Sequence, residues 1–329
     1  MCLAVAWCAL ALAPAGSDAA GGPAVEIAPG VFTRNLDPAA NQEFVVFDSY
    51  VVVFDPGSVV EARNLLAEIQ SRIGKPVRYV INSHFHPDHS AGAAMFAAAG
   101  AEVVVSEAAR PEFENWVPAD FAKKVAARPD DYRGLTYAKP TRYLRETWVI
   151  DDGVQRLELM HFGPGHTTGD LVGWLPGPRV LFAGDLSTNG QHNLASADLP
   201  GWIAVLERLR MLGARQVVPG HKSLAGPELL DKSHQYLREL RTQVAAMVAR
   251  GMSYEQVMQA VDIPMYEQWS GVSVRNEPTH VRRAYEAAGG TIDEPRPRWS
   301  RRRLAAAAGG AGLVMAAGLF LWRRRLRPA

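Results

Sequence analysis

Short apolar runs alternate with helix-spaced apolar positions through the middle of the chain. Phe44–Phe47 and Val51–Phe54 stand on either side of Asp48-Ser49, which predicts a hairpin. Val59, Leu65, Leu66, Ile69 and Ile73 fall on one helical face, and Gly74 supplies the stop. Strands are expected at Val77–Ile81, Val103–Val105, Leu157–Phe162, Leu171–Trp174, Val180–Ala183 and Gln216–Val218. Helices are expected at Ala91–Ala99, near Trp202–Leu212, and over Pro227–Ala249, where the proline takes the first position. Residues 107–145 break this rhythm. Pro111, Pro118, Pro129 and Pro140 punctuate a helical insertion or lid, with Trp116, Tyr132 and Tyr137 as candidate apolar lid residues. Alternating strands and helices with no internal repeat place the chain in the α/β class.

The ends follow different patterns. The apolar run Cys2–Ala13, followed by small residues, reads as a signal peptide over residues 1–20, although no Lys or Arg precedes it. Its removal takes away both cysteines, leaving no disulfide, thiolate ligand or thiol nucleophile. The body runs over 21–250, an appendage over 251–295, and a Pro- and Arg-rich linker over 296–303. The uncharged run Leu304–Trp322 between Arg clusters has the length of a membrane-spanning helix and is followed by the basic tail 323–329. An exported N-terminus puts the body outside and the tail inside. Gly309-Gly310, the apolar run and the terminal Arg cluster also match a C-terminal sorting signal that is cut after export.

Charge matters only once it is divided. The chain nets +1, but nine Arg and no carboxylate lie from Arg296 onward; the rest carries 26 basic against 34 acidic residues, a net of −8. A body that acidic does not favour phosphate contacts, so nucleic acid is not the expected partner.

Chemistry concentrates where apolar runs end. Val77–Ile81 runs into His84-Phe85-His86-Pro87-Asp88-His89, four metal-ligand types in six residues. In extended backbone His84 and His86 point to one side, and Asp88 and His89 return after a proline turn. His166 lies in Gly163-Pro164-Gly165-His166-Thr167-Thr168-Gly169-Asp170. Asp185 ends Val180–Ala183 beside Gly184, and His221 ends Gln216–Val218 after Pro219-Gly220. Each alone fits a turn. Four strand ends with seven such residues fit a metal site at the edge of a sheet. Ser83, Ser90 and Ser187 lie beside these residues with no base partner in the sequence and read as structural.

Over about residues 25–245 the chain resembles the metallo-β-lactamase superfamily, on His84, His86, Asp88 and His89 together with His166, Asp185 and His221. The resemblance implies an αββα sandwich with a two-metal site at one edge. It gives His84, His86 and His166 to the first metal, Asp88, His89 and His221 to the second, and Asp185 to both. Asp55 matches a supporting position behind the ligands, though a turn residue before Pro56-Gly57 is an equal reading. Zinc suits imidazole and carboxylate donors, with iron or manganese as alternatives. The implied reaction is hydrolysis by a metal-activated water, with Asp88 and Asp185 as catalytic residues.

Departures narrow the choice. The Asp185 position is cysteine in one class of zinc β-lactamases, and the lysine that binds the lactam carboxylate there is Thr188 here. An aspartate bridge resembles glyoxalase II-like thioester hydrolases and lactonases. Nuclease branches bring a basic surface, and flavodiiron reductases place Glu at the His86 position. The expectation is an exported, membrane-tethered hydrolase of a small ester, thioester or lactone. A β-lactam hydrolase is the alternative, and a non-catalytic metal-binding or partner-docking module is the alternative of another kind. Asn189, His192, Asn193 and Lys222 are the candidate substrate contacts, and Lys222 or Arg275 is placed to replace the absent cation.

Overall fold

Residues 51–54 show how the sequence builds the layers. All four side chains are buried, so the strand reads as an unbroken apolar run, yet they serve two cores. This is a computed structural model describing residues 21–292. In it Val52 and Phe54 of β4 (Val51–Phe54) pack inward with Ile81, Leu159, Phe182 and Val218, between two sheets. Val51 and Val53 point to the other face. There Leu65 and Ile69 of α1 (Val59–Arg72) and Phe96 of α3 (Ala93–Ala98) cover them.

The first sheet has seven strands in chain order. β1 (Val25–Ala28), β2 (Val31–Arg34), β3 (Gln42–Val46) and β4 pair antiparallel; β5 (Val77–Ile81), β6 (Glu102–Ser106) and β7 (Arg142–Leu144) continue in parallel from β4. The second sheet contains β8 (Trp148–Asp151), β9 (Arg156–Met160), β10 (Val172–Leu175), β11 (Val180–Gly184) and β12 (Gln216–Pro219), in the order β12-β11-β10-β9-β8. Only β11 and β12 pair in parallel. Leu181 and Ala183, buried and alternate to Val180 and Phe182, belong to its outer face; α5 (Leu199–Met211) and α6 (Glu228–Val248) contribute buried Trp202, Leu206, Leu237 and Leu240. The layers are therefore helix, sheet, sheet, helix.

Several elements differ from the sequence expectation. β1, β2, β7 and β8 are three or four residues long, three of them with partly exposed faces, and give no clean alternation. The expected helix over Ala91–Ala99 is present but shorter, as α3. The turn α2 (Pro87–Ser90) precedes α3, because Gly92 donates to Gly57 O at 2.7 Å and leaves no room for a Cβ against Ala62. A π-helical turn over Glu112–Trp116 leads into α4 (Val117–Ala127). Tyr132 and Tyr137 pack against Phe121, while Trp116 lies edge-on to Phe85 and remains exposed.

Beyond residue 250, α7 (Tyr254–Ala260), α8 (Pro264–Ser270) and α9 (Pro278–Ala287) fold back onto α6, with Tyr266 stacked on Tyr236 at 3.8 Å. The expected signal peptide at 1–20, the linker at 296–303, the span at 304–322 and the tail at 323–329 lie outside the described residues. Among the described residues no helix is long and apolar enough to cross a membrane.

Candidate metal centre

Strand ends and glycines set the position of each donor. β4 ends directly before Asp55, whose φ of 51° turns the chain sharply. β5 ends one step before Asn82-Ser83-His84, and β11 ends at Gly184, φ 51°, directly before Asp185. Gly220 allows the last approach: a Cβ there would stand 2.0 Å from Asp185 Oδ1. The His166 loop is tied down by Asp170, which accepts from Thr167 N and Thr167 Oγ1, and by Leu171 N donating to Ser83 O at 2.7 Å.

The seven side chains converge in two groups, His84, His86, His166 and Asp185, and Asp88, His89 and His221, with donor atoms inside each group within 4.8 Å of one another. Asp185 divides itself between them. Its Oδ2 faces His166 Nε2 at 3.5 Å and His84 Nε2 at 3.9 Å; its Oδ1 faces His89 Nε2 at 3.3 Å and His221 Nε2 at 3.5 Å. Asp88 Oδ2 lies 3.3 Å from His221 Nε2.

A second ring of acceptors determines which nitrogen of each imidazole points inward. His89 Nδ1 lies 2.8 Å from Asp55 Oδ2, His166 Nδ1 2.9 Å from Asn193 O, and His221 Nδ1 3.3 Å from Pro38 O. Ser83 Oγ donates to Asp55 Oδ2 at 2.7 Å and accepts from His84 Nδ1 at 2.9 Å. With Nδ1 donating outward, neutral His84 and His166 turn lone pairs inward. Both Nε2 atoms then approach His86 Nδ1 at 3.0 Å, where one proton at most serves two acceptors. Buried Asp185 Oδ1 has no aligned donor. These features fit a pair of metal ions better than a closed hydrogen-bond network.

The metal-free electrostatics agree. Burial draws His84 well down and His166 down to about 4, so both are neutral imidazoles at physiological pH. Burial also opposes charge at His89, but Asp185 and Asp55 outweigh it and hold that imidazole well above its ordinary range. Asp185 is pushed up by burial and pulled well below the carboxylate range by His89 and its neighbours. A metal ion bound there would take the place of the His89 proton.

Residues 40–221, more than half of the chain, match the family described as the metallo-beta-lactamase superfamily. The chain belongs to that superfamily. It is 33% identical over 89 residues to the metallo-beta-lactamase type 2 of Bacteroides fragilis, covering 25% of this chain and 36% of that one. It is 23% identical over 255 residues to a linear primary-alkylsulfatase of a Pseudomonas species, covering 65% and 48%. The chain thus spans about half or less of the length of these two relatives. The structure of a metallo-beta-lactamase from Pontibacter korlensis superposes with a TM-score of 0.53 at 24% identity, over 65% of this chain and 98% of that one, a likeness of fold.

In this superfamily chain the cluster opens into a cavity of about 610 Å³. His86, Asp88, Asp185 and His221 line it from the metal side, and Gln191, Asn193, Lys222, Glu277 and Thr279 from the others. Of the four substrate candidates, Asn193 and Lys222 line the cavity. His192 also borders it but is 3% exposed, hydrogen-bonded to Gly190 O and Ser233 Oγ behind the wall. Asn189 is not among the lining residues; its amide engages Ser223 O and Trp269 Nε1. Thr188 Oγ1 donates to Gln191 O, and Arg275 is bound to Val261 O and Asp262. Ser83 is more than a structural residue, since it links Asp55 to His84. Glu277, Thr279 and Gln191 were missed: in sequence Glu277-Pro278-Thr279 signals only a helix start, and nothing links it to residues almost 90 positions earlier.

Proposed function

We propose that this chain is a metal-dependent hydrolase of a small ester, thioester or lactone. His84, His86 and His166 hold one ion, Asp88, His89 and His221 hold a second, and Asp185 serves both. The observation that carries the reading is the division of Asp185, Oδ2 toward one histidine group and Oδ1 toward the other. The donor set contains imidazole and carboxylate only, which suits zinc and also accommodates iron or manganese.

When bound, such a pair supplies an acidified water and Lewis acidity for a carbonyl or sulfuryl oxygen. The chain's own residues do the rest. Asp55 orients His89 directly and His84 through Ser83. Asp88, the more exposed carboxylate, is pushed up by burial but brought down to about 2 by the His221 hydrogen bond, so Oδ2 remains an acceptor for a water proton. Gln191, Glu277 and Lys222 form the walls that fix the substrate.

β-Lactam hydrolysis is the second reading, favoured by the Bacteroides relative. Against it, position 188 offers a hydroxyl already committed to Gln191 O. The expected cellular setting is export, with the body held at the outer membrane face by residues 304–322.

Metal analysis of the zinc-loaded protein should return about two ions per chain, since seven donors exceed what one tetrahedral zinc uses. His86→Ala and Asp185→Asn should each abolish turnover in a screen of thioesters, lactones, nitrocefin and sulfate esters, with unchanged far-UV circular dichroism. One ion or none, or activity that survives both substitutions, defeats this reading.

A further inference from the structure

The cavity contains one cation that its surroundings do not neutralise. Lys222 follows His221 with φ 66°, a conformation that a non-glycine residue adopts at a cost. Asn41 holds the turn: its Nδ2 donates to Lys222 O at 2.7 Å and to Pro219 O at 2.8 Å, and its backbone N to Gly220 O at 2.7 Å. The side chain passes over Gly190, φ 130°, where an added Cβ would stand 3.1 Å from Lys222 Nζ. A glycine thus leaves the space that the ammonium occupies.

No carboxylate comes within 4.0 Å of Nζ among the described residues. The acids that line the same cavity are otherwise engaged. Asp88 and Asp185 face the imidazoles, Glu277 accepts from Gln191 Nε2, and Asp37 is exposed to solvent at the rim. Arg275, the other cation expected to reach the cavity, is held by Asp262. A half-buried ammonium on a pinned, strained turn gives up hydration without gaining an ion pair, unless a ligand provides one.

We propose that Lys222 is an anion subsite, and that the substrate carries an oxyanion, a carboxylate or a sulfonate-like group, separated from the bond that is cleaved. This rests on the hydrolase reading for what happens at the His/Asp cluster. Lys222 takes part in no bond change; Nζ binds the anionic end and sets the distance from which the scissile group meets the metal side of the cavity.

The test is calorimetry on the full-length, zinc-loaded chain. Acetate reports what the metal side binds alone; linear dicarboxylates from malonate to adipate, and sulfoacetate, add a second anion at increasing reach. At least one dianion should bind about tenfold more tightly than acetate. The preference should disappear in Lys222→Asn and persist in Lys222→Arg. Asparagine is chosen because it tolerates the left-handed conformation, so the variant removes charge without adding strain. Circular dichroism and metal content check that it folds. A dianion preference that survives in Lys222→Asn is metal chelation and overturns the subsite, as does the absence of any preference. In hydrolysis assays KM for a hemisuccinyl thioester should rise relative to that for its acetyl counterpart in Lys222→Asn. If no ester is cleaved while the binding preference behaves as stated, the hydrolase reading fails and the anion subsite stands.

Discussion

The candidate metal donors are held by residues one step behind them, and Asp55 carries most of that support. It receives the His89 imidazole, the Ser83 hydroxyl and, at Oδ1, the Ser83 amide at 2.6 Å. Asp55→Asn preserves the shape, but one of its two oxygens becomes an NH₂ that cannot accept. Metal affinity should fall about 10- to 100-fold, read by competition with a chromophoric chelator, while circular dichroism stays native. An unchanged affinity would show that the imidazoles are oriented by packing alone. At this scale the convergence of these seven side chains was legible because each stands at the end of an apolar run or the turn that follows it, beside glycine or proline. Ser83 was not, since its role depends on Asp55, 28 positions away, and on the hydroxyl's ability to donate and accept at once. Gln191 and Glu277 were hidden for the same reason: only folding brings their side chains together.

At the scale of elements, long buried strands declared themselves and short edge strands did not. β6 and β11 have a core on both faces and hence unbroken apolar runs, Val103–Val105 and Val180–Ala183; β1 and β8 are partly solvated and look like loops. The junction of α6, α8 and α9 was equally invisible, because its specificity lies in buried polar groups. His280 Nε2 donates to His192 O at 2.8 Å, so Nδ1 accepts from Tyr236 Oη at 2.5 Å. Burial pushes His280 down to about 4, against the opposing pull of the His192 carbonyl; His192 is likewise pushed down to about 4 by burial. A histidine whose folded pKa lies below its unfolded value stabilises fully above the unfolded pKa. That stability is lost as pH falls from about 6.5 toward about 4, because the unfolded chain takes up the proton first. Urea unfolding of wild type and His280→Gln should therefore show a stability difference that narrows by roughly 2 kcal/mol between about pH 7.5 and about pH 5. A difference that is constant or widens would mean that His280 is already charged in the folded protein.

For the whole molecule, the alternation of strands and helices gave the class, and the resemblance supplied the sandwich and its edge site. In sequence the last helices are amphipathic and read as an appendage over 251–295. They instead complete the cavity wall through Glu277 and Thr279 and bury Val257, Tyr266 and Val281 completely. Burial of side chains of this kind is worth about 1.5–3 kcal/mol each, so three of them approach the entire stability of a typical domain. Two truncations separate these roles. A chain ending at residue 250 should aggregate or lose its cooperative transition, because Tyr236 of α6 loses the ring stacked on it. A chain ending at residue 292 keeps every contact described above and should retain its metal content and melting transition. If residues 304–322 tether the full chain, this shorter form should move from the membrane fraction to the supernatant on sedimentation. Should it stay with the membranes, the tether lies in residues 1–20 instead; should it fail to fold, the tail takes part in the body in a way the described residues do not contain.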